Sequence, residues 1–198
     1  MKIMCKISLV GVSMVVLSAC TTIQPLSVQN RQRIKTIKLN PVTVSSSSMY
    51  YYPPSMAIGG LFALPAYNRG LGHFEKDIYA NHIDSARIFR AQFLGALDRN
   101  THFKVVKSGA ADATINLNIY RYGFSIPHGL TSYVQPTLNV DANMCRKGQV
   151  VWHYKNRSLV VKGTPHYRTT QLVNDPDLIK QAWNKAAYHL SNTMTKTM

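Results

Sequence analysis

Acidic residues are scarce in this sequence of 198 residues. It contains 8 Asp and Glu against 23 Lys and Arg, which gives a formal net charge of +15 at pH 7. So few carboxylates leave little material for paired general acids and bases. A surface of this charge favours acidic partners, namely nucleic acid, anionic lipid headgroups or an acidic envelope polymer, and the charge alone does not choose among them.

Motifs for catalysis and for metal or cofactor binding are also missing. None of the seven His residues stands with a second His or a Cys at the spacing of a zinc site. The sequence has no Gly-x-Ser-x-Gly elbow and no complete phosphate-binding loop. We therefore predict a protein that is not an enzyme and holds neither a metal nor a cofactor. An enzyme would need a His and an acid that only the fold brings together in a pocket, such as His153 or His128 with Asp112 or Asp141.

The first twenty residues are typical of an export signal. A short basic start is followed by an apolar run over residues 7–17, which is too short to span a bilayer as an ordinary helix. The sequence Leu-Ser-Ala-Cys at positions 17–20 resembles the lipobox of bacterial lipoproteins, whose Cys receives diacylglycerol and becomes the new N-terminus. The resemblance implies a lipid on Cys20. Thr21 stands where an inner-membrane retention signal usually carries Asp, so the resemblance also implies an outer-membrane lipoprotein that faces the periplasm.

This interpretation divides the chain into three parts. Residues 1–19 are the signal peptide, residues 20–33 a lipidated tether, and residues 34–198 a single α+β periplasmic domain with a long apolar loop at about 45–72. Cys5 is removed with the signal and Cys20 is blocked by lipid, which leaves Cys145 without an intrachain disulfide partner. Cys145 lies in an alternating apolar stretch, so we interpret it as a half-buried strand residue rather than a nucleophile.

Hydrophobic periodicity predicts the regular elements. These are a strand over 34–44, a helix beginning between 78 and 85 and ending near Asp98, a short strand over 102–107, a long strand over 111–124 with a bulge near 119–121, a hairpin with arms over 136–144 and 149–161, and a final helix that starts at Pro176. This order predicts an α+β two-layer sandwich. Its sheet would be antiparallel or mixed, with about four to five strands and two helices on one face.

The segment between the first strand and the first helix fits neither element, because it is apolar and aromatic but carries three Pro and a Gly pair. Its candidate contact residues are Tyr50, Tyr51, Tyr52, Ile58, Leu61 and Phe62. Such a long apolar loop is unusual in a compact domain. We predict either a surface that contacts a partner or the membrane, or a segment that packs over the core.

Basic and aromatic residues are interleaved on the predicted sheet strands. The candidates for anion binding are Arg121, Arg146, Lys147 and Arg157. On a cytosolic protein this mixture would suggest single-stranded nucleic acid. The export signal argues against nucleic acid and favours phosphorylated lipid headgroups, a glycan or an acidic partner protein. The alternative is a solvated basic surface without a dedicated ligand.

The middle of the chain carries packing patterns of a known group. Phe93-Leu94-Gly95-Ala96-Leu97, Phe103-Lys104-Val105-Val106, Ala111-Asp112-Ala113 and Gly148-Gln149-Val150-Val151-Trp152 follow one another over roughly residues 80 to 160. They resemble envelope lipoproteins that share the small fold first described in the amino-terminal domain of the TolB protein. That group includes the curli secretion lipoproteins, the penicillin-binding-protein activators and auxiliary lipoproteins of envelope transporters.

Together these features predict a non-enzymatic, membrane-anchored lipoprotein that acts as an accessory or adaptor in envelope assembly, transport or secretion. Its partners would be the membrane, through the lipid on Cys20, and a periplasmic or outer-membrane protein, and a homo-oligomer is compatible with the sequence. The alternative is a periplasmic binding module for an anionic lipid or glycan. An adaptor predicts a flat apolar patch, whereas a binding module predicts a pocket lined by Tyr and Arg.

Overall fold

The computed structural model describes residues 22–45, 49–52, 72, 75–126, 133–158, 161–172 and 175–198. Its strands are β1 Thr22–Gln24, β2 Thr36–Leu39, β3 Thr43–Val44, β4 Met49–Tyr52, β5 Lys104–Val106, β6 Ala113–Ser125, β7 Tyr133–Arg146, β8 Gln149–Arg157 and β9 Tyr167–Arg168. Its helices are α1 Val28–Arg33, α2 over residues 75–80, α3 Ser85–Asn100, α4 Thr169–Leu172 and α5 Pro176–Thr195.

The predicted fold class is wrong in the number of elements. In the described part of the chain, nine strands form a large mixed sheet accompanied by five helices, instead of four to five strands with two helices. The additional strands are two to four residues long. Strands this short have only one or two residues on each face, so the sequence shows no period-2 alternation of apolar and polar residues. Backbone pairing with a longer strand holds them in the sheet.

The sheet is built around an antiparallel meander of β6, β7 and β8. The strand order is β1-β8-β7-β6-β2-β5, and β9 pairs with β7. β2, β3 and β4 pair one after another with β6, all parallel to it, so residues 36–45 and 49–52 follow β6 along its length. The predicted first strand is therefore interrupted after Leu39, where Pro41 removes a backbone donor.

The hairpin and the bulge are observed where the sequence predicts them. Lys147 and Gly148 have φ of 50° and 79° and form a two-residue turn, which matches the right-handed twist of the flanking strands. The β6–β7 register shifts between Ile119 and Arg121. The shift reorients the residues that follow on β6, as an inserted bulge residue does.

The two long helices cover one face of the sheet. Asp84 caps α3 by accepting a hydrogen bond from the amide of Arg87, and Asp175 caps α5 in the same way ahead of Pro176. The helices pack against each other, and their apolar stripes join the apolar strand residues in one buried cluster. This cluster is the core, so the opposite face of the sheet bears the polar side chains.

The segment predicted as a tether is folded from Thr22 onward. Thr22–Gln24 pairs antiparallel with β8, and Ser27 caps the short helix α1. Leu26 is buried, and its amide donates a hydrogen bond of 2.9 Å to the carbonyl of Thr197. The structure corrects the extent of the tether, because a polar stretch can join a sheet edge through backbone hydrogen bonds and one buried Leu.

The predicted loop over 45–72 contains a strand as well. Tyr50, Tyr51 and Tyr52 belong to β4, which pairs with β6. This part of the loop assignment is corrected, since a run of Tyr has the strand propensity that the neighbouring Pro and Gly obscure. The candidates Ile58, Leu61 and Phe62 lie outside the described residues, as does the signal segment with Cys20. Within the described part of the chain, no helix is long and apolar enough to cross a membrane.

Candidate functional site

The second face of the sheet, which is the face turned away from α3 and α5, is polar along its whole length. Alternation along β6 and β7 directs one residue of each pair into the core and the next one to this face. The residues on this face include Asn116 and Asn118 of β6, Asn139, Asp141 and Asn143 of β7, and His153, Lys155 and Arg157 of β8. Most polar side chains of the meander therefore lie on this face, whereas Tyr154 and Asn156 are buried on the core side.

A chain of amides crosses the sheet at one end of this face. The side chain of Asn40 donates to Asn116 at 2.8 Å, and Asn116 donates to Asn143 at 2.9 Å. These residues line a shallow groove of about 520 Å³ together with Asp141. The three amides are therefore linked to one another by hydrogen bonds across neighbouring strands.

Asp141 lies at the centre of the face and neutralises its basic neighbours. One carboxylate oxygen is 2.7 Å from His153 Nε2, and the other is 3.5 Å from Lys155 Nζ. The fold thus brings together the pair that an enzyme would have needed. Both side chains are about one third exposed, at 28% for His153 and 31% for Asp141. Among the described residues no hydroxyl or thiol is hydrogen bonded to His153, so the pair has the geometry of a surface ion pair.

Two arginines flank Asn139 further along the same face. Arg121 of β6 pairs with Asn139 of β7, and Asn139 pairs with Arg157 of β8, so the three side chains form one row across neighbouring strands. We call this the arginine row. Over the described ranges, no carboxylate lies within ion-pair distance of either guanidinium, since Asp141 pairs with His153 and Lys155.

Two buried atoms in the arginine row lack a hydrogen-bond partner. They are Nε of Arg157 and Oδ1 of Asn139, and Asn139 is only 6% exposed. A buried donor on a charged group is costly to leave without an acceptor. The arginine row therefore has one donor, Arg157 Nε, that lacks an acceptor and one acceptor, Asn139 Oδ1, that lacks a donor. The amides of the amide chain, in contrast, hydrogen bond to one another.

Tyr50 borders the arginine row. Its strand β4 places it beside Gly123 of β6, and the Arg121 guanidinium lies over its ring with Cζ 4.3 Å from the centroid. Burial raises the pKa of the Tyr50 hydroxyl, and the charges of Arg121 and Arg157 act in the opposite direction. Both guanidiniums are thus close enough to influence one hydroxyl. Tyr50 connects the predicted contact segment with the predicted anion residues.

The four candidate anion residues do not form one cluster. Arg146 and Lys147 lie at the turn of the β7–β8 hairpin, seven residues along β7 from Asn139. That separation corresponds to roughly 23 Å at the rise of an extended strand. Only Arg121 and Arg157 are brought together.

A second groove, of about 490 Å³, lies between β2 and the start of α3 and is lined by Lys38, Arg87 and Lys107. Sequence reasoning missed it, because its bases come from separate elements. All three are exposed, so water solvates their charges and nothing there requires a ligand.

Cys145 is half buried, with Sγ 3.5 Å from Oδ1 of Asn143. Within the described ranges no three His, Cys, Asp or Glu side chains gather as metal ligands would.

Comparisons with known proteins give weak similarities in structure. No family model and no curated protein matches the chain. A Xanthomonas campestris protein of family DUF330 is 13% identical with a TM-score of 0.45, over 84% of this chain and 86% of that one. The PelC dodecamer from Paraburkholderia phytofirmans is 10% identical with a TM-score of 0.35, over 86% and 96% of the two chains. Similarities of this size carry no argument about ligands or assembly, and the resemblance to TolB-like lipoproteins stays a prediction.

Proposed function

We propose that the protein is a non-enzymatic envelope lipoprotein, held at the outer membrane by lipid on Cys20 and facing the periplasm. It serves as an accessory or adaptor in envelope assembly, transport or secretion. The observation that carries the proposal is the Leu-Ser-Ala-Cys sequence at 17–20, behind a short apolar run and directly ahead of a folded domain. Thr22 already belongs to β1, so one residue separates Cys20 from the sheet.

Lipidation is tested by incorporation of radiolabelled palmitate together with membrane fractionation. We expect the wild type to be labelled and recovered with the outer membrane, and Cys20→Ala to lose both properties. Cys145→Ala is the matched control, since it removes a thiol from the folded domain and leaves the lipobox intact. Label that persists in Cys20→Ala, or wild-type protein that stays in the cytosolic fraction, contradicts the proposal.

The partner of an adaptor is sought by crosslinking in whole cells. A photoreactive residue placed at Tyr51 or Tyr52 samples the segment for which the sequence predicts a contact role, and one at Val150 of β8 is an exposed control. We expect a discrete adduct from β4 that the control lacks. Adduct mass also separates a second copy of the chain, as a homo-oligomer requires, from a different envelope protein.

A binding module for an anionic ligand is the second candidate, and one observation favours it. A binding module predicts Tyr and Arg gathered at one place, and Tyr50, Arg121 and Arg157 are gathered there. An adaptor predicts a flat apolar patch. The large exposed hydrophobic residues of the described ranges lie on separate elements: Ile23, Val28, Val44, Tyr79, Val105, Tyr133, Val150 and Tyr188. Of these, Val44 and Tyr79 line one common groove. Ligand titration with and without the two arginines separates the candidates.

A further inference from the structure

We propose that the arginine row is a binding site for a phosphate-bearing anion that also carries a hydroxyl group. The inference rests on the second candidate function, an anion-binding module, and it names the site and the ligand chemistry. The site consists of the guanidiniums of Arg121 and Arg157 and the side-chain oxygen of Asn139 between them. None of these groups takes part in the amide chain or in the ion pairs of Asp141.

The two guanidiniums define the anionic part of the ligand. An arginine presents its donors as a planar fork that matches the oxygens of phosphate and carboxylate. Throughout the described ranges no carboxylate of the protein lies within ion-pair distance of these forks, and Nε of Arg157 is buried without an acceptor. An external anion supplies the missing acceptor. Arg121 and Arg157 lie two strands apart, on either side of Asn139, so an anion bound between them balances two like charges.

Asn139 defines the rest of the ligand. Its Oδ1 is a buried acceptor without a donor, in a residue that is only 6% exposed to solvent. A simple carboxylate at neutral pH offers no hydrogen to this atom, whereas a monoprotonated phosphate or a headgroup hydroxyl does. Donors on both sides and an acceptor in the middle therefore select a hydroxyl-bearing phosphate over a carboxylate or sulfate.

Arg121 is the most exposed of the three residues of the site. This side chain is exposed and rests on the ring of Tyr50, with Cζ 4.3 Å from the centroid. A contact of this kind at a surface is weak enough for the side chain to rotate. Arg121 is the cross-strand neighbour of Asn139, so its rotation brings the guanidinium toward a ligand bound there. Arg121 thus acts as the movable half of the clamp.

The position of the site favours a lipid as the source of the phosphate. Thr22 pairs with Lys155, which is two residues from Arg157 on the same strand and the same face. Cys20 precedes Thr22 by two positions, a reach of roughly 7 Å for an extended chain. A lipid on Cys20 would hold this end of the sheet at the headgroup layer. Free phosphate has the same chemistry, so the experiment includes both sources.

The test is a calorimetric titration of the full chain, purified from membranes in a neutral detergent. The ligands are inorganic phosphate, dihexanoyl-phosphatidylglycerol and dihexanoyl-phosphatidylcholine. We expect saturable binding that is weakened roughly tenfold or more in Arg121→Gln and in Arg157→Gln, because each substitution removes charge-assisted hydrogen bonds. Arg146→Gln and Lys147→Gln remove the same charge at the hairpin turn, and we expect them to change the affinity less than about twofold.

Each outcome either supports or overturns the proposed site. Binding of phosphatidylglycerol alone identifies a lipid headgroup as the ligand, and binding of inorganic phosphate identifies a soluble anion. Either result supports the site if Arg121→Gln and Arg157→Gln lose the binding. Absence of saturable binding, or an equal loss in the hairpin variants, overturns the site. Arg157→Lys keeps the charge without the fork and serves where Arg157→Gln fails to fold. Palmitate labelling does not depend on these variants, so a failed site leaves the lipoprotein proposal to its own test.

Discussion

Gly123 is the position where one added methyl group should displace a whole strand. Its φ is +144°, and a Cβ atom there would overlap the backbone carbonyl oxygen of Tyr50. The obstructing atoms belong to the main chain of β4, so no side-chain rotation removes the overlap. In Gly123→Ala, β4 must therefore move away from β6, and Tyr50 must leave Arg121.

Two contributions set the magnitude of this effect. A non-glycine residue held in such a backbone conformation costs about 1–3 kcal/mol. Loss of the contact between Arg121 and Tyr50 adds about 0.5–2 kcal/mol. We expect Gly123→Ala to lower the free energy of unfolding by roughly 2–5 kcal/mol. Gly148→Ala is the matched control, because Gly148 has φ of +79° and an added Cβ would meet no atom within 4 Å; it should cost about 1–2 kcal/mol.

The assay is urea unfolding followed by circular dichroism, combined with hydrogen exchange of the β4 amides. Gly123→Ala should shift the unfolding midpoint further than Gly148→Ala and should speed exchange over Met49–Tyr52. Equal destabilisation by the two substitutions, with β4 still protected, would refute the close approach of β4 to β6.

Three further predictions concern the core and its ends. Leu26→Ala should destabilise the fold by about 2–5 kcal/mol in urea unfolding, whereas Val28→Ala, at an exposed position, should not; equal effects would mean that this segment is a tether after all. Trp183→Phe should cost about 1–3 kcal/mol, because Nε1 of Trp183 donates to the carbonyl of Gly123 at 3.3 Å. Hydrogen bonds from the amides of Lys35 and Thr36 hold the pKa of Asp112 below its usual 3.8, so Asp112→Asn should be less stable than the wild type at neutral pH. That difference should shrink as the pH falls below 3.8 and through the lower folded pKa, and a difference independent of pH would contradict it.

Long periodic elements were predictable from the sequence for physical reasons. Ala113, Ile115 and Leu117 alternate with polar residues, which predicts a strand with one buried face. All three are buried in the structure. Lys147-Gly148 between two alternating arms predicts a tight hairpin, which is observed. Pro176 with Asn174 or Asp175 ahead of it predicts the start of the final helix, and in the structure Asp175 is the cap and Pro176 the first residue.

The site was predictable only in part. Arg121 and Arg157 were recognised by charge, but their meeting across β7 depends on a register that the bulge after Ile119 shifts. Asn139 gave no signal, because one amide in an apolar strand does not reveal that its oxygen lacks a partner. β1 and β4 were missed, since strands of three and four residues are held by pairing with a distant strand and not by a local pattern.

The two borders of the sheet limit how copies of this chain could associate. The strand order begins with β1 and ends with β5, each three residues long, and β3 and β4 are further short border strands that pair with β6. Short borders offer few unpaired backbone groups to another chain, which is a common protection against sheets joining side by side. A concentrated layer of these molecules on a membrane would thus resist fusing into continuous β-structure.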